Sequence, residues 1–466
     1  MNRLIPVTQV TPSSPPSRAS SKIYPRSFSG IYRKIRMGGG AILFALYFGT
    51  VWLNWGERQA VLWDIADKKF HIFSATYWPE DLVLLSAILI ICAFGLFFIT
   101  AVAGRIWCGY ACPQSVWMWI FLWAEKLAEG DRRHRMKLDD ARLSQAKILR
   151  RLLKHCLWLL ISVATALTFV GYFTPIRALV PDLLSFNLSG SALFWVFFFT
   201  AATYVNAGWF REKVCLHMCP YGRFQSSIVD NESLVVAYDA GRGDPRGSRS
   251  RGADHTAQGL GDCIDCEMCV QVCPTGIDIR DGLQMECIGC AACIDACDSI
   301  MDKMGYEKGL IRYASHNELN TGVRNILRPR LVAYFLILVT MIGLFSWALA
   351  TRPLLTLEVE RDRGLFRYSG SGLIENSYLL NLTNKSNETR HTFIAVYGAE
   401  GFNMRGPDGV TLNAGEQREI PVVLEKDPSS ILSAVTEVSF EISSFEGPDG
   451  RVVARTTFLA PTPIER

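Results

Sequence analysis

Five runs of apolar residues, each close to the roughly 20 residues that a helix needs to cross a bilayer, limit what this chain can fold into. Inside hydrocarbon every backbone N–H and C=O must be paired within its own segment, so runs of this length read as helices. They cover about Gly38 to Trp55, Leu82 to Val102, His155 to Phe173, Ser191 to Phe210 and Leu331 to Ala350. They hold the excess that brings the hydrophobic content of this 466-residue chain to 49%, above that of an ordinary soluble protein. A polar, Pro- and Ser-rich arm precedes the first run and no clear cleavage site follows it, so that run reads as a retained span rather than a signal peptide.

Orientation follows from where Lys and Arg fall. The arm before Gly38 holds Arg3, Arg18, Lys22, Arg26, Arg33, Lys34 and Arg36, and the loop from Pro113 to Lys154 holds ten basic residues, whereas only Arg177 lies between the third and fourth runs. The positive-inside rule then makes the N-terminus, that loop and the segment from Arg211 to Arg330 cytoplasmic, and exports everything after Ala350. The stretch Val116 to Trp123 is too short to span and reads as an interfacial amphipathic helix, with Trp117, Trp119 and Trp123 at headgroup level.

The expected organisation is a disordered cytoplasmic arm over 1–37, a four-helix membrane domain over 38–210, a cytoplasmic cysteine-rich domain over 211–330, a fifth span over 331–350 and an exported domain over 351–466. In the last, apolar and polar residues alternate between Gly, Asn, Asp and Pro turns, which predicts an antiparallel β-sandwich of about seven strands. It contains no Cys, and its single His, His391, offers no redox site. Residues 241–261, rich in Gly, Arg, Asp and Ser, read as a flexible connection.

All fourteen cysteines precede the fifth run. Disulfides are disfavoured in a reducing cytoplasm, so ligation has to explain most of them. Eight form two successive C-x2-C-x2-C-x3-C runs: Cys263, Cys266, Cys269 and Cys273, then Cys287, Cys290, Cys293 and Cys297. Three thiolates of each tight loop reach one [4Fe-4S] cubane while the fourth serves the other, which predicts two clusters with crossed ligands. Cluster I takes Cys263, Cys266, Cys269 and Cys297; cluster II takes Cys287, Cys290, Cys293 and Cys273. Zinc sites rarely repeat three thiolates at this spacing in tandem. Pro274 follows the first run, whereas Asp298 follows the second, where its carboxylate should lower the potential of the neighbouring cluster.

Two further pairs, Cys108 with Cys112 before Pro113 and Cys215 with Cys219 before Pro220, close the second and fourth runs at their cytoplasmic ends. Spacing i, i+4 puts both thiols of a pair on one helix face, and proline ends the helix. Two pairs at equal depth can converge on a soft ion such as Cu(I), on zinc, or on a third iron–sulfur cluster. His217 or Met218 could add a ligand, and Cys156 could join from the third run. Single buried cysteines are ordinarily packing residues, the reading given to Cys92. His71 reads as a surface residue.

The motifs Gly104-Arg-Ile-Trp-Cys-Gly-Tyr-Ala-Cys-Pro-Gln114 and Val214-Cys-Leu-His-Met-Cys-Pro-Tyr-Gly-Arg223, the tandem cluster runs and Cys297-Asp-Ser-Ile-Met-Asp-Lys303 together resemble the cytochrome c oxidase accessory proteins CcoG, also called FixG or RdxA. The resemblance covers nearly the whole chain and makes Asp298 part of the pattern. It implies a multi-span α-helical protein of the bacterial inner membrane with five transmembrane helices. It also implies a cytoplasmic two-cluster ferredoxin-like insert and a C-terminal exported immunoglobulin-like β-sandwich. The implied role is reduction of Cu(II) to Cu(I) at Cys108, Cys112, Cys215 and Cys219 during cbb3-type oxidase assembly. Copper ions, copper chaperones, oxidase assembly factors, a cytoplasmic electron donor and further copies of the chain are the partners expected, and nucleic acid is not. Two other readings are a quinol-linked conduit similar to NapH-type proteins, against which the exported domain argues, and a non-enzymatic assembly scaffold or redox sensor.

Overall fold

The computed structural model describes residues 22–254, 257–325, 327–397, 401–431, 433–444 and 451–461, without the side chain of Ser226. Residues 1–21, most of the expected disordered arm, lie outside that set. Contacts divide the chain into two compact units, one of 1–48, 92–169 and 188–338, the other of 49–91, 170–187 and 339–466.

Among the described residues, four helices are long and apolar enough to cross a membrane: Pro79–Ala103, Gln145–Gly171, Gly190–Phe210 and Pro329–Ala350. The first run differs from expectation. Its helix, α1, spans Ile31–Thr50, so it starts among Arg33, Lys34 and Arg36 and stops before Trp52. Only Gly38 to Thr50, thirteen residues, is both helical and apolar. At 1.5 Å per residue that covers about 20 Å of a hydrocarbon core about 30 Å thick.

The first unit resumes at Cys92 within α2 (Leu82–Ala103), which leads into a single turn, α3 (Ile106–Tyr110), and then α4 (Pro113–Glu129). The expected interfacial helix is thus a packed one. Phe121 and Ala124 of α4 are fully buried against Trp158 and Ala207, although Trp123 is exposed. Glu125, buried on the same helix, is bound by Arg135 (3.0 Å) and Arg211 (2.5 Å). Burial would raise its pKa, but the two guanidiniums outweigh that and hold it low. Such a pair is costly to break from one side.

The cysteine-rich insert is closed by an antiparallel pair of strands, Val235–Tyr238 with Ile311–Ala314. Between them a short helix, Met268–Gln271, and a longer one, Ala292–Met304, each start on a left-handed residue, Glu267 and Ala291. Each of those residues directly follows the second cysteine of its run, so the two loops repeat one geometry. Asp298 sits inside the longer helix and accepts the Gly309 N–H at 3.0 Å. A proline there would break the helix. The segment expected to be a flexible connection is pinned: Arg242 binds Asp262 and the carbonyl of Lys308, and Arg249 binds Tyr306 and the carbonyl of Gly261. Residues 22–30, assigned to the arm, are also held, since the Arg26 N–H donates to the Gln271 carbonyl at 2.8 Å.

In the second unit, nine strands form the sandwich among the described residues: β1 (Leu355–Arg361), β2 (Arg367–Tyr368), β3 (Ile374–Asn384), β4 (Arg390–Tyr397), β5 (Asn403–Arg405), β6 (Gly409–Leu412), β7 (Gln417–Lys426), β8 (Val435–Ser444) and β9 (Arg451–Leu459). One sheet runs β5-β7-β3-β1 with β2 also on β3, and the other β6-β4-β8-β9. Alternation along β3 buries Ile374, Tyr378, Leu380 and Leu382, which face Val438, Phe440 and Ile442 of β8 in one core. The two strands beyond the seven expected are the short β2 and β5, too brief to show an apolar period. Helix Pro329–Ala350 precedes the sandwich in sequence. His71 is not a free surface residue, because its Nδ1 lies 3.0 Å from the Thr76 hydroxyl within a small three-stranded meander.

Candidate functional site

The eight ferredoxin-type cysteines gather around two cavities in the first unit. Cys263, Cys266, Cys269 and Cys297 line one, with Ile264, Ile300, Met301 and Leu310 as its apolar wall. Cys273, Cys287, Cys290 and Cys293 line the other, together with Cys269 and Ile288. The last cysteine of each run therefore stands with the first three of the other run. Burial pushes the Cys269, Cys287 and Cys297 thiols up to about 12, and neighbouring thiolate charge adds to it at Cys287 and Cys297. Among the described residues no three His, Cys, Asp or Glu side chains converge closely enough for a single ion. A cubane asks for something else, since each thiolate holds a different iron, and four thiols spread around an apolar cavity fit that group.

The two quartets differ in access. Cys266 is exposed, whereas Cys290 is buried. The first cavity also carries Arg280, whose guanidinium binds Asp278 at 2.6 Å and Asp265 at 2.5 Å. Its charge lowers the pKa of Cys269 against the upward push of burial. Asp298 works the other way on Cys297, adding to burial.

The two Cys-x3-Cys-Pro motifs share a local fold. Each first cysteine sits on a tight turn: Cys108 on α3, Cys215 on the wide turn Val214–Met218. A five-residue backbone bond closes each, Cys112 N–H to Trp107 O at 2.9 Å and Cys219 N–H to Val214 O at 2.8 Å. Each second cysteine is the N-cap of a new helix, α4 for Cys112 and Pro220–Ile228 for Cys219. The prolines are first-turn residues of those helices, where their fixed φ is favourable and no N–H is lost. Sequence spacing had them ending the preceding helix.

Burial pushes the Cys108 thiol up to about 11, with charge at Cys112 and Cys219 adding to it. Cys215 goes up to about 12, first by burial and then through Cys112, Cys108 and Cys219. The four thiols thus act on one another electrostatically, but as they stand no three of them are close enough together to hold a single ion, since no such group occurs among the described residues. In the metal-free protein Cys108 and Cys215 are protonated at neutral pH, so a thiophilic ion must displace their protons.

Cys156 does not belong with those four thiols. It is exposed on helix Gln145–Gly171, two residues from both Lys154 and Trp158, which are buried. Two residues is about 200° around a helix, so Cys156 points away from the face that packs. His217 and Met218 are exposed, and Cys92 is exposed on α2 rather than packed.

Residues not singled out by the sequence join the thiol quartet to the second cavity. Arg105 donates to the Cys287 carbonyl at 3.1 Å and to the Gly222 carbonyl at 3.0 Å, linking the cluster loop to the turn that follows Cys219. Gln225 donates to the Gly104 carbonyl and lies 3.9 Å from the Cys108 Sγ. The Tyr313 hydroxyl donates to the Gly289 carbonyl at 2.7 Å and neighbours Tyr110. Glycine meets glycine at the centre: a Cβ on Gly109 would lie 2.7 Å from the Gly289 carbonyl oxygen and 2.9 Å from the Cys290 Cα. Arg105 and Gly109 lie inside the quoted motif, which was the one available signal.

Residues 210–316 match a family model described as a 4Fe-4S dicluster domain, and 345–461 match the IG-like fold at the C-terminus of FixG. The nitrogen fixation protein FixG of Rhizobium meliloti is 36% identical over 444 residues, covering 87% of this chain and 84% of the relative. Protein RdxA of Cereibacter sphaeroides is 36% identical over 463 residues, covering 95% of this chain and 97% of RdxA. The chain belongs to the FixG/RdxA family. It is therefore an iron–sulfur electron-transport protein with membrane helices and an immunoglobulin-like C-terminal domain. The crystal structure of a FixG-related protein from Vibrio parahaemolyticus aligns over 23% of this chain and 96% of that one, at 23% identity and a TM-score of 0.22.

Proposed function

We propose that this FixG/RdxA member takes electrons from a cytoplasmic reductant and reduces Cu(II) to Cu(I) at Cys108, Cys112, Cys215 and Cys219. The Cu(I) then passes to the copper chaperones and assembly factors that build a cbb3-type oxidase. The observation that carries this reading is the close approach of Gly109 to Gly289 and Cys290, which sets the loop of a soft-ligand site directly on a cluster loop. Bound clusters would supply single electrons, and Cu(II) needs one; the reduction itself moves no proton, and the protons of Cys108 and Cys215 leave when the ion binds. Exposed Cys266 marks the entry side and buried Cys290 the exit side. Arg105 holds the exit loop against the turn after Cys219, and Gln225 ties the helix that follows Cys219 to the turn before Cys108. Soft thiolates stabilise Cu(I) over Cu(II), which favours the forward direction.

The reading places the insert in the cytoplasm and the sandwich outside, in the inner membrane of a bacterium. The distribution of Lys and Arg supports that placement, with α1 as the fifth crossing despite its short apolar stretch.

The test is replacement of Cys108 and Cys112 by Ala in the full-length protein. Iron, sulfide and the spectrum of the reduced clusters should be unchanged, while copper binding and copper-driven reoxidation of those clusters are lost. A loss of about four iron atoms would put a third cluster at the quartet instead. Unchanged copper reduction would sink the proposal and leave these cysteines as packing residues.

A further inference from the structure

A cavity of the first unit, about 420 Å³, has no cysteine in its lining and is walled by two unlike sets of residues. One is apolar, built from Phe44, Val116, Ile120 and Trp123. The other carries Arg26, Arg33, Arg36, Lys126, Arg132 and Arg135, against a single lining carboxylate, Asp131. That carboxylate already pairs with Lys126 at 3.3 Å, and Arg135 pairs with the buried Glu125 behind the wall at 3.0 Å, so the excess of positive charge lies with Arg26, Arg33, Arg36 and Arg132. Arg135 is 5% exposed, yet its Nε finds no partner, and neither does the buried Trp119 Nε1. Buried donors of this kind are rarely left unpaired, so a ligand with acceptor oxygens is wanted here.

We propose that this cavity binds one anionic phospholipid, with its phosphate on the arginine cluster and an acyl chain along Phe44, Ile120 and Trp123. The charge balance selects the occupant. Residues 1–21, which lead into the cavity wall at Pro25–Phe28, contain no Asp or Glu and include Arg3 and Arg18, so they offer nothing to neutralise it. A quinol is disfavoured because the lining holds no His and no unpaired carboxylate to accept a hydroxyl proton. The bound phosphate would not be remote from the redox centre. Arg36 lines the cavity, stacks on Trp119 at 4.0 Å and donates to the Cys290 carbonyl at 3.3 Å, so the headgroup would help hold the second cluster loop in place.

The test is native mass spectrometry on the full-length, iron-loaded protein in mild detergent, titrated with phosphatidylglycerol, phosphatidylcholine or inorganic phosphate. Phosphatidylglycerol should bind as one molecule at least about ten-fold more tightly than phosphatidylcholine. Replacing Lys126 by Gln, or Arg33 and Lys126 together, should weaken it roughly five-fold per cation removed. Lys34→Gln, an exposed residue outside the cavity, should leave it unchanged, and unaltered iron content shows that each variant is folded. Equal binding of phosphatidylcholine, insensitivity to the double substitution, displacement of the lipid by equimolar phosphate, or a retained quinone would each overturn the proposal. None of these outcomes depends on copper reduction.

Discussion

Replacing Gly109 by Ala tests whether the contact between the thiol loop and the cluster loop is the route for electrons. The added methyl would sit 2.7 Å from the Gly289 carbonyl oxygen, where ordinary contact begins near 3.4 Å, so the loops must part by about 0.7 Å, the difference of those two figures. The opposing atoms are backbone and cannot swing away as a side chain would. Overpacking of this kind costs roughly 1–3 kcal/mol, a factor of about 5 to 150 in the population of the closed contact. Neither glycine ligates a cluster, so iron, sulfide and the reduced spectrum should stay at wild-type levels. Reoxidation of pre-reduced protein by Cu(II), followed by stopped-flow absorbance, should slow by at least about five-fold. Gly289→Ala should be worse, since its φ of +65° disfavours any side chain and its Cβ would meet the Arg105 carbonyl oxygen at 3.0 Å. Gly95→Ala, with nothing within 4 Å, should be silent. Wild-type reoxidation in Gly109→Ala with an intact spectrum would refute the route.

Cys273→Ser should remove the cluster of Cys287, Cys290 and Cys293 although it belongs to the first run, and Cys266→Ser should remove the other; iron analysis with electron paramagnetic resonance assigns each loss, and a Cys273→Ser protein that keeps the second cluster contradicts the crossed ligands. Asp295→Ala should lower the temperature at which the iron–sulfur absorbance bleaches. Its buried carboxylate accepts the Tyr32 and Arg33 N–H groups at 3.2 and 2.8 Å, capping the first turn of α1 at a value of about 1–2 kcal/mol. An unchanged bleaching temperature would mean that the cap contributes nothing. Alkaline phosphatase fused after Arg466 should be active and fused after Asp298 inactive, and activity at the latter would overturn the cytoplasmic placement of the insert.

How much of this was legible beforehand depended on whether the signal was local. The cluster runs were readable because a cubane constrains neighbouring cysteines within one loop, and the sandwich because strand alternation is a period of two. The apolar run of α1 gave the existence of a helix but not its bounds, since nothing in composition says that it starts at Ile31. That start is fixed by Asp295, 264 residues along the chain from Ile31, which caps its first turn. Gly30 belongs to the same arrangement, because a Cβ there would fall 2.1 Å from the Asp295 Cγ. Cys156 misled for the opposite reason. Its sequence neighbourhood, beside His155 near the cytoplasmic end of a span, looked right, and only the packing of Lys154 and Trp158 shows which face of the helix it occupies.

The prolines of the two thiol motifs carry the argument one step further. Read along the sequence, Cys-Pro ends a helix; in the fold it begins one. Cys112 and Cys219 are the N-cap residues of Pro113–Glu129 and Pro220–Ile228, and neither thiol accepts a hydrogen bond from the first turn it precedes. Cys108 and Cys215 sit on turns, are pushed upward by burial, and should keep their protons until a metal arrives. Each motif therefore supplies one thiol at a helix N-cap and one on a turn whose proton must leave when a metal binds. Arg105 joins the turn of the first motif to the helix that follows the second through the Gly222 carbonyl. A soft ion bound by all four thiols would release the protons of Cys108 and Cys215, and the cluster loop that Arg105 also holds is already in contact with the Cys108 turn when it does.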